Sequence, residues 1–164
     1  MRIRAETRGD REAVYDVNRR AFGRDVEPRL VEAIRDSPEA LPELALVAEE
    51  EGAVVGHIVL SRVQVGGEDA VVLAPVAVVP ERQSEGIGGE LVRAAIDLAR
   101  AQGERLVVLV GHPWYYPRFG FVPASTLGIE HPTPIADDVF MALPLADDHP
   151  RGRLEYPPAF AAVT

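Results

Sequence analysis

The segment from Pro80 to Gly89 has the clearest potential to bind a ligand, because it leads from an apolar run into an amphipathic one and contains three glycines. Backbone N–H groups at the start of a helix attract anions, and glycine lets a phosphate approach without a Cβ in the way. Gly86, Gly88 and Gly89 each cost a helix roughly 1 kcal/mol relative to alanine. This repeated cost favours a phosphate-binding helix start over the alternative, in which the glycines only allow close packing.

Two residue types that other chemistries need are missing from the chain. All 17 Lys+Arg residues are arginine, which excludes a Walker A loop and Schiff-base catalysis because both need lysine. There is no cysteine, which excludes disulfides, zinc-thiolate sites and a cysteine acyl-enzyme. A dinucleotide fingerprint fails because Leu91 stands where its third glycine would be. The histidines are not paired at ligand spacing, so we expect no metal.

The overall composition predicts one soluble domain spanning residues 1–164. The formal net charge of -9 and the lack of a basic stripe argue against nucleic acid binding. The same charge favours encounter with cationic partners, including amines. No apolar run is long enough for a membrane span, and residues 1–6 do not resemble a secretory signal. We therefore expect a cytoplasmic protein.

Helix-like and strand-like segments alternate along the chain and predict a mixed α/β fold. Thr7, with Asp10 three residues on, resembles the N-cap of a first helix that runs to about Phe22. Helical spacing of apolar residues predicts a second helix from Pro28 to about Arg35 and a third, the clearest, that begins near Ile87 and stops at Gly103. The predicted strands are 1–6, 44–48, 53–65, 70–79, 106–110, 121–122 and 139–145. The strand, helix and strand between 70 and 110 predict a parallel crossover in a mostly antiparallel sheet with helices on both faces.

Pro75 lies inside the predicted strand 70–79, where it cannot donate a hydrogen bond to a neighbouring strand. We expect a local break in strand pairing near it. After this core, which spans residues 1–145, the prolines and the loss of periodicity predict an irregular tail over 146–164.

Two motifs resemble those of the GNAT N-acetyltransferase superfamily. The first, Gln83-x-x-Gly86-x-Gly88, resembles the Q/R-x-x-G-x-G/A signature, which in that superfamily follows a splayed strand and opens a helix. The second, the Tyr-Tyr-x-x-Phe-Gly-Phe segment within Gly111–Phe121, resembles a bacterial subgroup of predicted acetyltransferases. The resemblance covers residues 1–145 and implies a GNAT-like sheet with a splayed strand pair and acetyl-CoA as co-substrate.

The resemblance also implies roles for particular residues. The pyrophosphate would lie on the amides of Ser84–Gly89, and the backbone of two valines would pair with the pantetheine arm. The implied coenzyme A contacts are Val76, Val78, Gln83, Ser84, Glu85, Gly86, Ile87, Gly88 and Gly89. Tyr116 stands four residues before Gly120, where the superfamily places its general acid; Tyr115 competes for that role, and a core position is the structural alternative.

The acceptor side is less defined by the sequence. Glu27 and His112 are candidates for the base; their structural alternatives are a helix-start charge favoured by the helix dipole and a loop residue. Trp114 is a candidate for the lining of the acceptor pocket or for a packed turn anchor. We expect an N-acyltransferase that moves an acetyl group directly to a primary amine of a small molecule or peptide. The alternatives are a non-catalytic acyl-CoA sensor and an acyltransferase that acts on a hydroxyl. The sequence does not identify the acceptor amine. It is compatible with a homodimer.

Overall fold

A computed structural model describes residues 1–161, which contain nine strands and four helices. The strands are β1 (Arg2–Ala5), β2 (Ala45–Glu50), β3 (Ala53–Val65), β4 (Glu68–Val78), β5 (Leu106–Val110), β6 (Val122–Pro123), β7 (Ile129–Glu130), β8 (Phe140–Pro144) and β9 (Gly152–Glu155). The helices are α1 (Arg11–Phe22), α2 (Val26–Arg35), α3 (Ile87–Ala101) and α4 (Pro158–Ala161). The short 3₁₀ turns are Arg8–Asp10, Pro42–Leu44, Pro80–Arg82, Tyr116–Phe119 and Ala124–Leu127.

The sheet has the order β1-β2-β3-β4-β5-β8-β6, in which the β4–β5 pair is parallel and the other neighbours are antiparallel. Outside this order, β9 pairs with β3 antiparallel and with β7 parallel. Helices cover both faces of the sheet. Strand β2 shows this, because its alternate side chains point to opposite faces and meet different helices. Leu46 and Ala48 pack with α3, whereas Val47 packs with Val14 of α1 and Val31 of α2. The mostly antiparallel sheet with one parallel crossover, predicted from the sequence, is confirmed.

The strand β4 separates from β5 halfway along its length. The two strands pair only at Val71 with Val107 and at Val72 with Val108. On its other side β4 pairs with β3 along most of its length, with a shift in register where Val59 faces both Ala74 and Pro75. The predicted break near Pro75 is confirmed, and the second half of β4 borders an opening rather than a strand.

The backbone of this second half of β4 points into the opening. The amide of Val79 donates to the carbonyl of Val55 at 3.0 Å, next to the register pair Gly56 and Val78. Hydrogen-bonding direction alternates along an antiparallel ladder, so the N–H and C=O groups of Val76 and Val78 are directed away from β3.

The prediction of an irregular tail over 146–164 is wrong for much of its length. Strand β9 pairs with the end of β3 and with β7, and Leu154 is fully buried between charged neighbours. A single apolar residue has no periodicity, so the pattern could not show this strand; residues 162–164 lie outside the described range.

The helix α2 begins at Val26, before the predicted start at Pro28, because a proline in the first turn needs no intrahelical partner for its nitrogen. Over the described residues, no helix has the length and apolar character needed to cross a membrane.

Asp10 ties the start of α1 to the edge strand β1. Its carboxylate accepts hydrogen bonds from Arg4 at 2.7 and 2.9 Å and from the backbone and hydroxyl of Thr7 at 2.7 and 3.0 Å. The Arg4 hydrogen bonds, together with those from Thr7, hold the pKa of Asp10 well below its usual range.

We predict that Asp10→Asn lowers the free energy of unfolding at neutral pH by about 1–3 kcal/mol, since charged hydrogen bonds are lost. A carboxyl whose pKa is depressed by folding stabilises the protein above its unfolded pKa of about 3.9 and loses that contribution as pH falls. The difference between variant and wild type should therefore shrink at pH 3 in urea unfolding. Asp97→Asn, which removes an exposed carboxylate 3.6 Å from Arg100, is the control and should change little. An equal loss at both pH values would contradict the assignment.

Candidate active site

The loop between β4 and α3 presents a row of unpaired backbone amides. Ser84 and Gly86 both have positive φ, 67° and 90°, and Gly86 is the N-cap of α3 without a side-chain cap. Within residues 1–161, no hydrogen bond is donated by the backbone N–H groups of residues 84–89. Alternating backbone conformations of this kind form a nest for an anion, and the helix dipole adds to its positive potential.

A groove of about 440 Å³ lies directly over these amides. Its lining residues are Val78, Arg82, Gln83, Ser84, Gly86, Ile87, Gly88, Gly89, Arg93, Tyr115, Arg118 and Phe119. The Tyr115 hydroxyl lies 3.7 Å from the position of a Cβ on Gly88 and 3.5 Å from that on Gly89. Most of the predicted coenzyme A contacts thus share one groove, while Val76 and Glu85 are outside its lining.

Gln83 connects the loop to the strand through its side chain. Its Nε2 donates to the carbonyl of Val78 at 2.9 Å, which holds the start of the loop against the end of β4. One of the backbone groups expected to face the pantetheine arm is therefore already engaged within the protein. The backbone groups of Val76, which are not engaged in this way, are the better candidates for pairing with the pantetheine arm.

The acidic side chains beside the groove are neutralised by arginine. Glu85 accepts from Nε of Arg82 at 2.9 Å, and the same guanidinium pairs with Glu50. Glu81 pairs with Arg20 at 2.6 Å. These pairs lower the pKa of the Glu50 and Glu81 carboxyls, mainly through the arginine hydrogen bonds. The carboxylates therefore repel an anion on the amides much less than isolated charges would.

Tyr116 lies at the end of β5, where the opening between β4 and β5 is. Its ring packs closely on Gly111, where a Cβ would be only 2.4 Å from a ring carbon, and contacts Phe121 edge-on at 5.9 Å. The side chain is 9% exposed, and its hydroxyl makes no hydrogen bond to another residue within 1–161. Burial, and to a lesser degree the neighbouring Tyr115, raises the pKa of Tyr116 to about 12. This phenol keeps its proton at any physiological pH.

The three predicted acceptor residues come from two segments, the start of α2 and the loop after β5. Helix α1 packs its last turns on Ala77 near the end of β4, and Glu27 lies in the first turn of α2, which follows α1. Glu27 is held by Arg24 through both carboxylate oxygens. His112 is exposed and stacks on Trp114 at 4.6 Å. Trp114 is 72% exposed, so it is not a packed turn anchor.

Two arginines that the sequence analysis missed also line the groove. Arg93 lies one helical turn after Gly89, and Arg118 lies three residues after Tyr115. The i, i+4 spacing from Gly89 on a predicted helix was a signal for Arg93. No comparable signal pointed to Arg118, because the position of its turn depends on tertiary packing.

The chain is similar to known proteins over nearly its whole length. The profile of the Acetyltransferase (GNAT) family matches residues 11–121. The uncharacterized N-acetyltransferase YjhQ of Escherichia coli K12 is 40% identical over 136 residues, covering 80% of this chain and 75% of YjhQ. The crystal structure of E. coli YhbS, a GNAT family N-acetyltransferase in complex with CoA, superposes with a TM-score of 0.90 at 32% identity, covering 98% of this chain and 91% of YhbS. A GNAT family acetyltransferase from Brucella melitensis in complex with acetyl-CoA gives 0.83 at 36% identity, covering 97% of each chain.

We predict that Gly86→Ala weakens coenzyme A binding about ten-fold or more, because a side chain at positive φ disturbs the nest and costs charged hydrogen bonds. The matched control is Gly103→Ala: Gly103 has φ 84° just beyond α3, and a Cβ there, as at Gly86, meets nothing within 4 Å. Both variants should lose similar stability in thermal unfolding. Only Gly86→Ala should lose affinity in calorimetry, and equal affinities for the two variants would contradict the assignment of the nest.

Proposed function

The chain belongs to the GNAT family of acetyltransferases, and we propose that it transfers the acetyl group of acetyl-CoA directly to a primary amine of a small molecule or peptide. The observation that carries this proposal is the row of unpaired amides at residues 84–89 beside the opening between β4 and β5. A ligand that matches both features must carry a phosphate group and a narrow arm. Acetyl-CoA has both, and the YhbS and Brucella relatives were crystallised with CoA and acetyl-CoA.

The described residues fit this ligand. The amides of Ser84–Gly89 would bind the pyrophosphate, because they are orphan donors at a helix N-terminus and no side chain caps them. The backbone of Val76, which is directed into the opening, would pair with an amide of the pantetheine arm as an added strand does. The thioester would then lie in the opening, near the end of β5 and Tyr116.

In the proposed reaction the neutral amine attacks the thioester carbonyl carbon, the carbon–sulfur bond breaks, and the sulfur leaves with the bonding electrons. Tyr116 would donate its proton to that sulfur and recover one from solvent. An ordinary thiol has a pKa of about 8.5, below that of this phenol. The same burial that raises the pKa of Tyr116 also raises that of a thiolate formed beside it, which narrows the difference.

No side chain is assigned as the base that accepts the proton of the amine. The Glu27 carboxylate is occupied by Arg24, and His112 is stacked on Trp114 at the exposed edge. The simplest scheme takes the amine from solution in its neutral form and releases the proton of the attacking nitrogen to water, which balances the proton that Tyr116 recovers from solvent. A cysteine relay is excluded because the chain has no cysteine.

The function is tested by thiol release from acetyl-CoA with a panel of aminoglycosides, polyamines, amino acids and peptides, and with hydroxyl compounds as comparison. Mass spectrometry should find the acetyl group on the amine nitrogen. Transfer only to hydroxyls would contradict the proposal. Coenzyme A binding without turnover across a broad panel would favour a sensor instead.

Tyr116→Phe should lower kcat about ten-fold or more, the usual effect of losing a general acid. The KM for acetyl-CoA should change little, because the ring and its packing remain. Tyr156→Phe is a matched control, because burial also raises the pKa of the Tyr156 hydroxyl to about 12. That hydroxyl forms a hydrogen bond with His131 in the C-terminal region, away from the groove. An unchanged kcat in Tyr116→Phe would remove this residue from the mechanism.

The pH dependence of kcat/KM should show a rising limb only. Deprotonation of the acceptor amine raises the rate, and the acid form of Tyr116 persists because its pKa is raised to about 12. Activity should therefore climb up to about pH 10, at or above the pKa of most primary amines. A fall between about pH 8 and 10 in a stable enzyme would show that the acid is a less buried group.

A further inference from the structure

We propose that Arg93 and Arg118 form a second anion subsite, which binds the 3′-phosphate on the ribose of coenzyme A and lets the enzyme discriminate against dephospho-coenzyme A. This inference rests on the proposed function and extends it from the diphosphate to a third phosphate group. Both arginines line the groove over the amides of α3.

Arg93 and Arg118 differ from most arginines of the chain because neither has a carboxylate partner among the described residues. Most arginines of this chain pair with a carboxylate within 4.0 Å. Arg93 and Arg118 have no carboxylate partner among residues 1–161, although acidic residues outnumber basic ones 26 to 17. In an acidic protein, two unpaired cations at one groove point to an anionic ligand.

Each of the two guanidinium groups lies over an aromatic ring. Arg93 stacks over the ring of Phe119 with its central carbon 4.9 Å from the centroid, and Arg118 stacks over Tyr115 at 4.3 Å. Nε of Arg118 also donates to the carbonyl of Tyr115 at 2.8 Å. Stacking fixes the plane of a guanidinium and leaves its terminal N–H groups free, which suits a phosphate.

The diphosphate has other donors in the groove. The unpaired amides of residues 84–89 already provide donors for the diphosphate. Arg82 also lines the groove, but Glu50 and Glu85 occupy its guanidinium. Arg93 and Arg118 have no such carboxylate and lie over the rings of Phe119 and Tyr115. A phosphate monoester carries a charge of about -1.5 to -2 at neutral pH, which two arginines would balance.

The experiment compares coenzyme A with dephospho-coenzyme A, which lacks only the 3′-phosphate, by calorimetry. The variants are Arg93→Gln, Arg118→Gln and the double variant, with Arg100→Gln as control because Arg100 is exposed on the same helix and lies outside the groove. The wild type and the control should prefer coenzyme A about ten-fold or more. The double variant should bind both ligands with the affinity that the wild type has for dephospho-coenzyme A.

Three results would overturn the proposal. Equal weakening of both ligands in the variants would place the arginines on the diphosphate. A wild type without preference would leave the 3′-phosphate in solvent. A wild type that binds neither ligand would remove the proposed function as well, so the two failures are distinguishable. If the glutamine variants unfold at lower temperature, the Lys variants at both positions provide the test: they keep the charge and should retain part of the preference.

Discussion

The separation of β4 from β5 after Val72 is the constraint on which the rest of the site depends. A paired strand would use its N–H and C=O groups within the sheet, and the backbone at Val76 would have nothing to offer a ligand. Proline at position 75 cannot donate, and the extra residue opposite Val59 bends the strand at the same point. The amide row after β4 and Tyr116 after β5 lie beyond the ends of the two strands that this interruption accompanies.

The chain has a net charge of -9, so a multiply charged phosphate can bind only where the local electrostatic potential is positive. The groove uses backbone dipoles for attraction and arginines to occupy the nearby carboxylates, as Arg82 does for Glu50 and Glu85. Because Gly86, Gly88 and Gly89 have no side chains and α3 has no side-chain cap, its first N–H groups stay open to the groove. The acidic surface elsewhere remains available to attract a cationic acceptor.

The adjacent tyrosines have different environments. The backbone turn between Tyr115 and Phe119 directs one ring toward the groove and the other toward the core. The Tyr115 hydroxyl lies near Gly88 and Gly89 in the groove, and its ring supports Arg118. The Tyr116 ring is buried against Gly111 and Phe121. Tyr115 therefore lines the groove, whereas Tyr116 is enclosed in the core, although the two side chains have the same chemistry.

The sequence by itself determined the crossover unit, the strand break at Pro75, the amide-rich start of α3 and the exclusion of lysine and cysteine chemistry. These features are local: helical periodicity, the missing N–H of proline and the glycine pattern act over a few neighbouring residues. Only the tertiary structure decided that Arg93 and Arg118 meet at one groove, that Gln83 braces Val78, and that Leu154 of the predicted tail is buried beside β3. Those facts depend on contacts between residues far apart in the chain, which residue spacing does not encode.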